Sequence, residues 1–246
     1  MVSKHQVQDA LTLLEGVDTA TPAALREAVL AVRGRLQLIG TEKIEDVLAG
    51  VIGSLPSLAQ ELGKPAPAVT FATHGIVLKA QIFSVVQNVF MHLYRNAMDH
   101  GLEAAAERLA KGKPQQGTIA LEVTLDGGQV HFKLRDDGKG LAVASILRKA
   151  QAQGLVAQAT DLQPHDLAQL VFAPGFSTAE QVTEVSGRGV GMDAVKGFVE
   201  QEGGTIALRL APLNEDTAGV DMAGANAGYR SFETVISLPE RFVLQS

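Results

Sequence analysis

The sequence predicts an α+β fold, and three patterns support this prediction. Apolar residues recur at helical spacing through residues 1–62, and two runs of alternating apolar and polar residues at 118–136 flank the turn sequence Asp-Gly-Gly. Two further strand-like runs, at 203–210 and 231–239, follow a predicted helix near 189–202. The chain therefore combines a helical N-terminal region with a region of mixed helices and strands.

The composition allows a sizeable hydrophobic core and excludes several classes of protein. The chain has 246 residues, a formal net charge of −6 and 46% hydrophobic residues, which fits one large domain or an ordinary domain with a helical appendage. It has no cysteine, so disulfides and thiolate metal sites are excluded, and a reducing, cytoplasmic location is expected. No apolar run reaches the roughly 18 residues of a membrane span, and the acidic balance argues against duplex DNA as a partner.

Residues 1–40 are predicted to form a helical hairpin. The sequence "HQVQDALTLLEG" predicts a first helix, and "TPAALREAVLAVRGRLQLIG" predicts a second, with Thr21 as its N-cap and Pro22 at its first position. A short turn joins the two, which favours an antiparallel arrangement. The second helix carries one apolar stripe, formed by Leu25, Val29, Val32, Leu36 and Ile39.

Residues 41–246 are predicted to form the second unit. Its first helical segment is split by Pro56, and a short strand follows in "PAVTFAT". Residues 78–111 are predicted as a long amphipathic helical region and residues 142–171 as two helical pieces. The polar, Gly- and Ala-rich stretch 211–229 is predicted as a long loop.

Three motifs follow one another along this second unit. They are "HLYRNAMDHG" (92–101), "RDDGKG" (135–140) and "GFSTAEQVTEVSGRGVGMD" (175–193). Each has an ordinary alternative: a surface asparagine on a helix, a simple turn and a flexible linker. The hydrophobic Val190 and the helix that follows directly argue against the linker, and the combination of all three motifs indicates a shared nucleotide site.

The third motif is suited to an anion. A helix N-terminus offers unpaired N–H groups and the positive end of the helix dipole, and side chains at Gly187, Gly189 and Gly191 would block the approach of a phosphate. The motif is not a P-loop, because no G-x-x-x-x-G-K-[ST] occurs. It is also a poor dinucleotide motif, because no apolar parallel strand precedes it.

The first two motifs supply groups that complement a nucleotide. Asn96 and His100 are four residues apart and share a helix face, and an amide oxygen suits Mg²⁺, which prefers hard oxygen ligands and bridges phosphates. Asp136 is predicted at a strand end with Gly138 and Gly140 behind it. There its carboxylate can accept a hydrogen bond from the exocyclic amine of adenine.

Together these motifs resemble the ATP-binding domain of the histidine kinase, gyrase, Hsp90 and MutL superfamily, and more closely that of chemotaxis-type (CheA-like) histidine kinases. "HLYRNAMDHGLE" is similar to the N box of that family and "RDDGKGL" to its first glycine box. "LVFAPGFSTAEQVTEVSGRGVGMDAVKGFVEQEGGTI" is similar to its F box and second glycine box. The resemblance runs from about Leu58 to Ile206. It implies a two-layer α/β sandwich of the Bergerat type.

The resemblance implies a role for each matching residue. Asn96 would ligate Mg²⁺, Asp136 would hold adenine with Gly138 and Gly140 around it, and His92 would polarise the nucleophile, with a structural histidine as the alternative. Arg95 and His100 would lie near the phosphates, and Gly187, Gly189 and Gly191 with Met192 would line the triphosphate side. The other residues expected to bind the nucleotide are Asn96, Asp99, Ser177, Thr178, Arg188 and Val190.

The resemblance also implies a mobile lid over the nucleotide. Phe172, Phe176, Ser177 and Thr178 would belong to it, and its closure would exclude water and favour transfer over hydrolysis. Lys149 lies between these motifs and is expected on a solvated helix face rather than at a phosphate.

The chain departs from the family where a phospho-accepting histidine is concerned. None of its six histidines stands in an H-x-x-K-G or H-E-x-[RK]-x-P setting, and only His5 has a helical context outside the ATPase region. The acceptor is therefore expected on a histidine-phosphotransfer domain or protein, with a response regulator downstream. The family's SH3-like coupling domain is also missing, which favours a fragment of a larger kinase.

The predicted N-terminal hairpin occupies the place of the family's dimerisation helices. A four-helix bundle from two chains would bury the apolar stripe of the second helix, so a homodimer is expected. The alternative is that these helices pack on their own ATPase domain.

Three functional hypotheses follow. The first is an ATP-dependent protein-histidine kinase core that transfers the γ-phosphoryl group of ATP to a histidine on a separate domain or chain in two-component signalling. The second is a nucleotide-binding dimerising or regulatory module without kinase turnover. The third, an ATP-driven clamp like gyrase or MutL, is disfavoured because no transducer domain is present and the chain is acidic.

Overall fold

The structure is a computed structural model and describes residues 8, 11, 12, 21–156, 163–176, 191–211 and 229–245. Its helices are α1 (Pro22–Gln37), α2 (Ile44–Gly53), α3 (Leu55–Glu61), α4 (Phe83–Asn96), α5 (Ala105–Ala110), α6 (Val143–Ala152), α7 (Pro164–Gln169) and α8 (Met192–Gln201). Its strands are β1 (Thr41–Lys43), β2 (Ala68–Ala72), β3 (Ile76–Lys79), β4 (Thr118–Asp126), β5 (Gln129–Asp136), β6 (Leu141–Ala142), β7 (Thr205–Leu210), β8 (Tyr229–Arg230), β9 (Phe232–Pro239) and β10 (Val243–Gln245).

A five-stranded sheet forms the framework. Its strand order is β2-β4-β5-β9-β7, in which β2 runs parallel to β4 and the other neighbouring pairs are antiparallel. The predicted hairpin is confirmed: β5 pairs over its whole length with residues 119–126 of β4, and Gly127 and Gly128 form the turn with φ of 57° and 75°. Positive φ at both turn residues matches the twist of the strands, and glycine adopts it without steric cost.

The sheet has one buried face and one largely polar face. Helices α4 and α8 cover the buried face, and α2 packs on α4. Alternation along the strands places Phe132 inside, where its ring meets Phe90 of α4 at a centroid distance of 5.8 Å, while Lys133 points outward to Glu122. The inward-facing strand residues are Ile119, Leu121, Val123, Val130, Phe132, Leu134, Ile206, Leu208, Ile236 and Leu238. The α+β two-layer prediction is therefore confirmed.

The N-terminal helix α1 presents its apolar stripe to solvent. Thr21 caps the helix as predicted, since its hydroxyl accepts a hydrogen bond from the Ala24 N–H at 3.3 Å. The stripe side chains Leu25, Val29 and Leu36 are 41%, 60% and 47% exposed. In the part of the chain that the structure describes, no helix is long and apolar enough to cross a membrane.

The predicted long helix over residues 78–111 is partly wrong. Leu78 is fully buried in β3, which lies between β1 and β10 in a second, antiparallel sheet. The helix itself begins at Phe83, and a π-helical turn and a short extended stretch separate it from α5. A short apolar run fits either a strand or a helix, and here pairing with β1 and β10 favours the strand.

Other predicted elements are confirmed with small shifts. The segment after residue 43 splits at Ser54, with Pro56 in the first turn of α3, and helices α6 and α7 form the two pieces within 142–171. The first predicted helix lies mostly outside the described residues, as does most of the predicted loop 211–229.

Removal of the Phe132 ring should destabilise the fold strongly. We expect Phe132→Ala to lower the free energy of unfolding by about 3–5 kcal/mol, because it deletes a buried ring and leaves a cavity against α4. Lys133→Ala, the next residue on the opposite face, should cost at most about 1 kcal/mol. Urea unfolding followed by circular dichroism measures both, and equal losses would contradict the assigned strand faces.

Candidate functional site

Asp136 stands at the end of β5, on the border of the buried layer. Asp136 pairs with Ile119 of β4, and its Oδ1 accepts a hydrogen bond from the Gly138 N–H at 2.9 Å. Burial raises the pKa of this carboxyl, the Gly138 N–H opposes that shift, and the negative charge of Asp137 adds to it. The site therefore holds a desolvated carboxylate with spare acceptor capacity, which favours a ligand that donates a hydrogen bond.

The backbone of Gly101 closes in on this carboxylate. A Cβ placed on Gly101 would lie 2.9 Å from the Asp136 Oδ1, and one placed on Gly138 would overlap the Gly101 carbonyl oxygen. That same carbonyl accepts a hydrogen bond from the Lys139 N–H at 3.0 Å. Two glycines thus allow the first and second motifs to meet backbone to backbone.

Helix α4 contains the first half of the first motif. Val86, Val89, Phe90 and Leu93 anchor the helix in the core, and Asn96 is its last residue. After Asn96 the backbone widens into a π-helical turn, in which the Leu102 N–H donates to the Ala97 carbonyl at 2.7 Å. Such single turns recur at functional sites because they re-aim the residues they contain.

The structure also brings the first and third motifs together. The Asn96 Nδ2 lies 3.0 Å from the Met192 Sδ and donates to it, so the end of α4 contacts the first residue of α8. Gly191 precedes α8 as its N-cap residue, and the Asp193 Oδ1 lies 2.5 Å from where a Gly191 Cβ would be. The N-terminus of α8 therefore faces the same region as Asn96.

The pKa values of two histidines of the first motif are lowered. Burial lowers the pKa of His92, and the charge of Arg95 lowers it further. Burial also lowers the pKa of His100, with a smaller opposing effect of Asp99. Arg95 forms an ion pair with Asp99 at 3.5 Å, on the partly exposed rim of the site.

The third motif is described only at its two ends. Phe172 and Phe176 are buried, and the Lys149 Nζ lies 5.8 Å from the centre of the Phe176 ring in a cation–π contact. Lys149 is thus half-buried against an aromatic ring, not solvated as predicted. The predicted site residues Ser177, Thr178, Gly187, Arg188, Gly189 and Val190 lie outside the described residues.

Gly140 lies on the far side of the Asp136 turn. Its φ is +82°, and a Cβ there would lie 2.5 Å from the carbonyl oxygen of Arg230. Gly140 therefore packs against the short β6–β8 ribbon, while Gly138 packs against the carboxylate and Gly101. Of the two glycines predicted to shape the pocket around Asp136, only Gly138 touches that side chain.

A buried ionic cluster beneath the Asp136 turn was not predicted from the sequence. Arg108 is 1% exposed, and its Nη2 and Nη1 donate to the two carboxylate oxygens of Asp137 at 2.8 and 3.0 Å. Its Nη1 also reaches the buried Glu103 at 3.3 Å, and its Nε donates to the Pro114 carbonyl at 2.7 Å. Every group of this buried guanidinium is engaged, which is the condition under which burial of the charge is tolerated.

Lysines complete this cluster and anchor the end of the π-helical turn. Lys111 and Lys113 each donate to the Glu103 Oε1 at 3.1 Å. Burial alone would raise the pKa of Glu103, but these hydrogen bonds lower it to about 2. Lys64 donates to the Met98, Asp99 and Leu102 carbonyls at 2.6, 3.1 and 2.8 Å, where the helix end leaves acceptors unpaired.

Sequence reasoning missed Gly101, which ends the first motif, and Arg108 and Lys113, which lie between the first and second motifs. The one available signal was the charge-rich stretch "ERLAKGK" directly before the hairpin strand. Nothing in its spacing shows that Arg108 is buried, because a charged residue on a short helix is usually solvated. In the described residues, no group of three or more His, Asp or Glu side chains forms a metal cage.

The chain matches the family described as histidine kinase-, DNA gyrase B-, and HSP90-like ATPase over residues 84–237. It therefore belongs to this ATPase family, and the chemotaxis proteins CheA are among the proteins to which it is similar. All three motifs lie within the matched residues, whereas Lys64, which holds the end of the π-helical turn, lies before them.

Curated relatives carry the closer resemblance. The chain is 40% identical over 136 residues to the chemotaxis protein CheA of Bacillus subtilis, covering 54% of this chain and 20% of that protein. It is 34% identical over 210 residues to the chemotaxis protein CheA of Halobacterium salinarum, covering 83% of this chain and 30% of that protein. The chain thus spans less than a third of the length of these relatives.

Among solved structures, the mycobacterial sensor histidine kinase MprB aligns with 14% identity and a TM-score of 0.45. The alignment covers 81% of this chain and 95% of that structure.

The ionised Glu103 should stabilise the fold only above acidic pH. Its pKa falls from a usual value of 4.5 to about 2 in the folded chain, so its contribution is present above pH 4.5 and is lost as the pH falls towards 2. We expect Glu103→Gln to lower the free energy of unfolding at neutral pH by about 3 kcal/mol, because it leaves the buried Arg108 with one carboxylate partner fewer. The difference from the parent chain should shrink as the pH approaches 2.

Urea titrations across this pH range measure the effect. Glu122→Gln is the matched control, because its carboxylate pairs with Lys133 at 3.1 Å on the polar face of the sheet and should contribute under about 1 kcal/mol. A loss that stays constant from neutral to acidic pH would contradict the linkage.

Proposed function

We propose that this chain is the ATP-binding catalytic core of a CheA-like histidine kinase, and that it transfers the γ-phosphoryl group of ATP to a histidine on a separate domain or chain. The observation that supports the proposal is the contact of the first motif with the second and with the last residues of the third. Gly101 contacts the Asp136 turn, and Asn96 contacts Met192. Membership of an ATPase family supports ATP as the nucleotide.

Asp136 is proposed to recognise adenine. Its desolvated carboxylate has one backbone donor, and the exocyclic amine of adenine would supply a second, charge-assisted hydrogen bond. Gly138 and Gly101 let the two backbone segments meet beside this carboxylate, which fixes its position at the edge of the site. An amide in place of the carboxylate would present a donor to a donor.

The phosphates are proposed to lie between α4 and the N-terminus of α8. Arg95 and the N–H groups after Gly191 would bind phosphate oxygens, together with the residues of the third motif. The donor set fits Mg²⁺, because the amide of Asn96 carries a hard oxygen and Mg²⁺ takes its remaining ligands from phosphates and water. When bound, Mg²⁺ would neutralise charge on the phosphates.

In the proposed reaction a phosphorus–nitrogen bond forms and ADP is the leaving group. The acceptor imidazole nitrogen attacks the γ-phosphorus, the bond from that phosphorus to the β,γ-bridging oxygen breaks, and ADP leaves with the electron pair. The acceptor also loses its N–H proton. His92 is proposed to take that proton, because it lies one helical turn before Asn96 on the same helix.

The proposed reaction requires protein partners. The acceptor would be a histidine-phosphotransfer domain or protein, and a response regulator would receive the phosphoryl group afterwards. The relatives that carry the resemblance are chemotaxis proteins, which supports a chemotaxis-like two-component pathway in the cytoplasm.

The deciding experiment measures ATP binding and phosphoryl transfer with the same preparation. Calorimetry should show that the chain binds Mg-ATP and that Asp136→Asn loses most of this affinity, at least about tenfold, while its free energy of unfolding stays level or rises, because a desolvated charge is removed. Transfer of γ-³²P to histidine-phosphotransfer domains of the same organism then tests catalysis. Binding without any transfer would favour the regulatory module, and no binding would exclude both.

The exposed stripe of α1 supports a homodimer. Charge introduced into the stripe should break such a dimer, because burial of an unpaired carboxylate is costly. We expect Val29→Asp to shift the chain from dimer to monomer in analytical ultracentrifugation. Ala31→Asp introduces the same charge on the other side of the helix and should leave the dimer intact. A monomeric parent chain would show that the stripe has another role.

A further inference from the structure

Two neighbouring lysines have different contacts. Lys111 and Lys113 both donate to the Glu103 Oε1 at 3.1 Å. Lys113 alone continues to the backbone of the Asp136 turn, where its Nζ donates to the Asp137 and Gly138 carbonyls at 2.8 Å each. Lys113 is also the less exposed of the two, at 31% against 45%.

The carbonyls that Lys113 holds belong to the turn that sets the position of the Asp136 carboxylate. The Gly138 N–H donates to the Asp136 Oδ1, so a shift of Gly138 moves the acceptor. The Asp137 side chain is fixed independently, by Arg108 and by the Thr118 N–H at 2.9 Å. Because both the side chain and the carbonyl of Asp137 are hydrogen-bonded, the backbone of the turn has few alternative conformations.

Stability alone gives a weak account of why charges are buried here. A buried ion pair is often no more stabilising than apolar residues of the same volume, because desolvation offsets the attraction. An apolar replacement of Glu103, Arg108 and Lys113 would fill the space, but it could not bind two carbonyls and one carboxylate of a turn. The charges are suited to holding a backbone in one position.

We propose that Lys113 is a positioning residue for adenine recognition: it holds the Asp137 and Gly138 carbonyls, and thereby keeps the Asp136 carboxylate where it accepts the exocyclic amine. The inference rests on the proposed function of Asp136 as the adenine acceptor. Lys113 itself contacts no nucleotide in this proposal, and Lys111 contributes to the fold only through Glu103.

The test compares ATP with inosine triphosphate, which carries an oxygen where adenine carries the amine. Calorimetry on the full chain should show that Lys113→Gln weakens ATP binding by about tenfold, since two charge-assisted hydrogen bonds to the turn are lost. Binding of inosine triphosphate should change by no more than roughly twofold, so the preference for ATP shrinks. A lysine with a purely structural role would not alter this ratio.

Lys111→Gln is the matched control. It removes the same charge and the same hydrogen bond to Glu103 but none to the turn. Lys111→Gln should therefore lose less free energy of unfolding than Lys113→Gln and keep the parent chain's preference for ATP. Lys113→Arg retains a cationic donor and should restore most of that preference.

The outcomes separate the two proposals. If the parent chain prefers ATP and Lys113→Gln keeps that preference, the positioning role is wrong and the proposed function stands. Equal losses of preference in Lys111→Gln and Lys113→Gln would also overturn it, because Glu103 would then be the common cause. A parent chain that binds no ATP, or binds both nucleotides equally, overturns the role of Asp136 and the inference with it.

Discussion

The approach of two backbones determines the rest of the site. Gly101 at the end of the helical layer and the turn after β5 lie so close that a Cβ on either Gly101 or Gly138 would meet the other segment. The contact ties the helix that carries Asn96 to the strand that carries Asp136. It also explains why the chain widens into a π-helical turn after Asn96, since that turn brings the Gly101 carbonyl within reach of the Lys139 N–H.

Charges in the described residues are used in two different ways. The Asp136 carboxylate is half-buried and accepts a hydrogen bond from one backbone N–H, so desolvation raises its pKa and its ionised form gains from a further donor. Beneath the turn, Glu103 is buried with several donors, so its pKa is lowered to about 2 and its charge is compensated within the fold. The first arrangement leaves capacity for a ligand, and the second holds the backbone that carries it. Two carboxylates at the same turn thus differ in how far the fold compensates their charge.

Local sequence patterns were reliable where local chemistry decides the structure. The hairpin of β4 and β5, the Thr21 cap and the break at Ser54 follow from turn glycines, a hydroxyl and a proline, which act on residues a few positions away. The apolar pattern wrongly predicted a helix at Leu78. That residue is in a strand, because it pairs with β1 and β10, whose residues lie more than 30 positions away in sequence. Lys149 was expected in solvent and instead stacks on Phe176.

By itself, the sequence determined the fold class, the family resemblance and the three motifs, because these depend on periodicity and on residue types at short spacings. It identified Asn96, Asp136 and Gly138 without showing what holds them. Only the tertiary structure decided that Gly101 faces the Asp136 carboxylate, that Arg108 is buried, and that Lys113 reaches the turn while Lys111 does not. Burial and hydrogen bonding of a charged side chain depend on which distant segments surround it, and no local pattern contains that information.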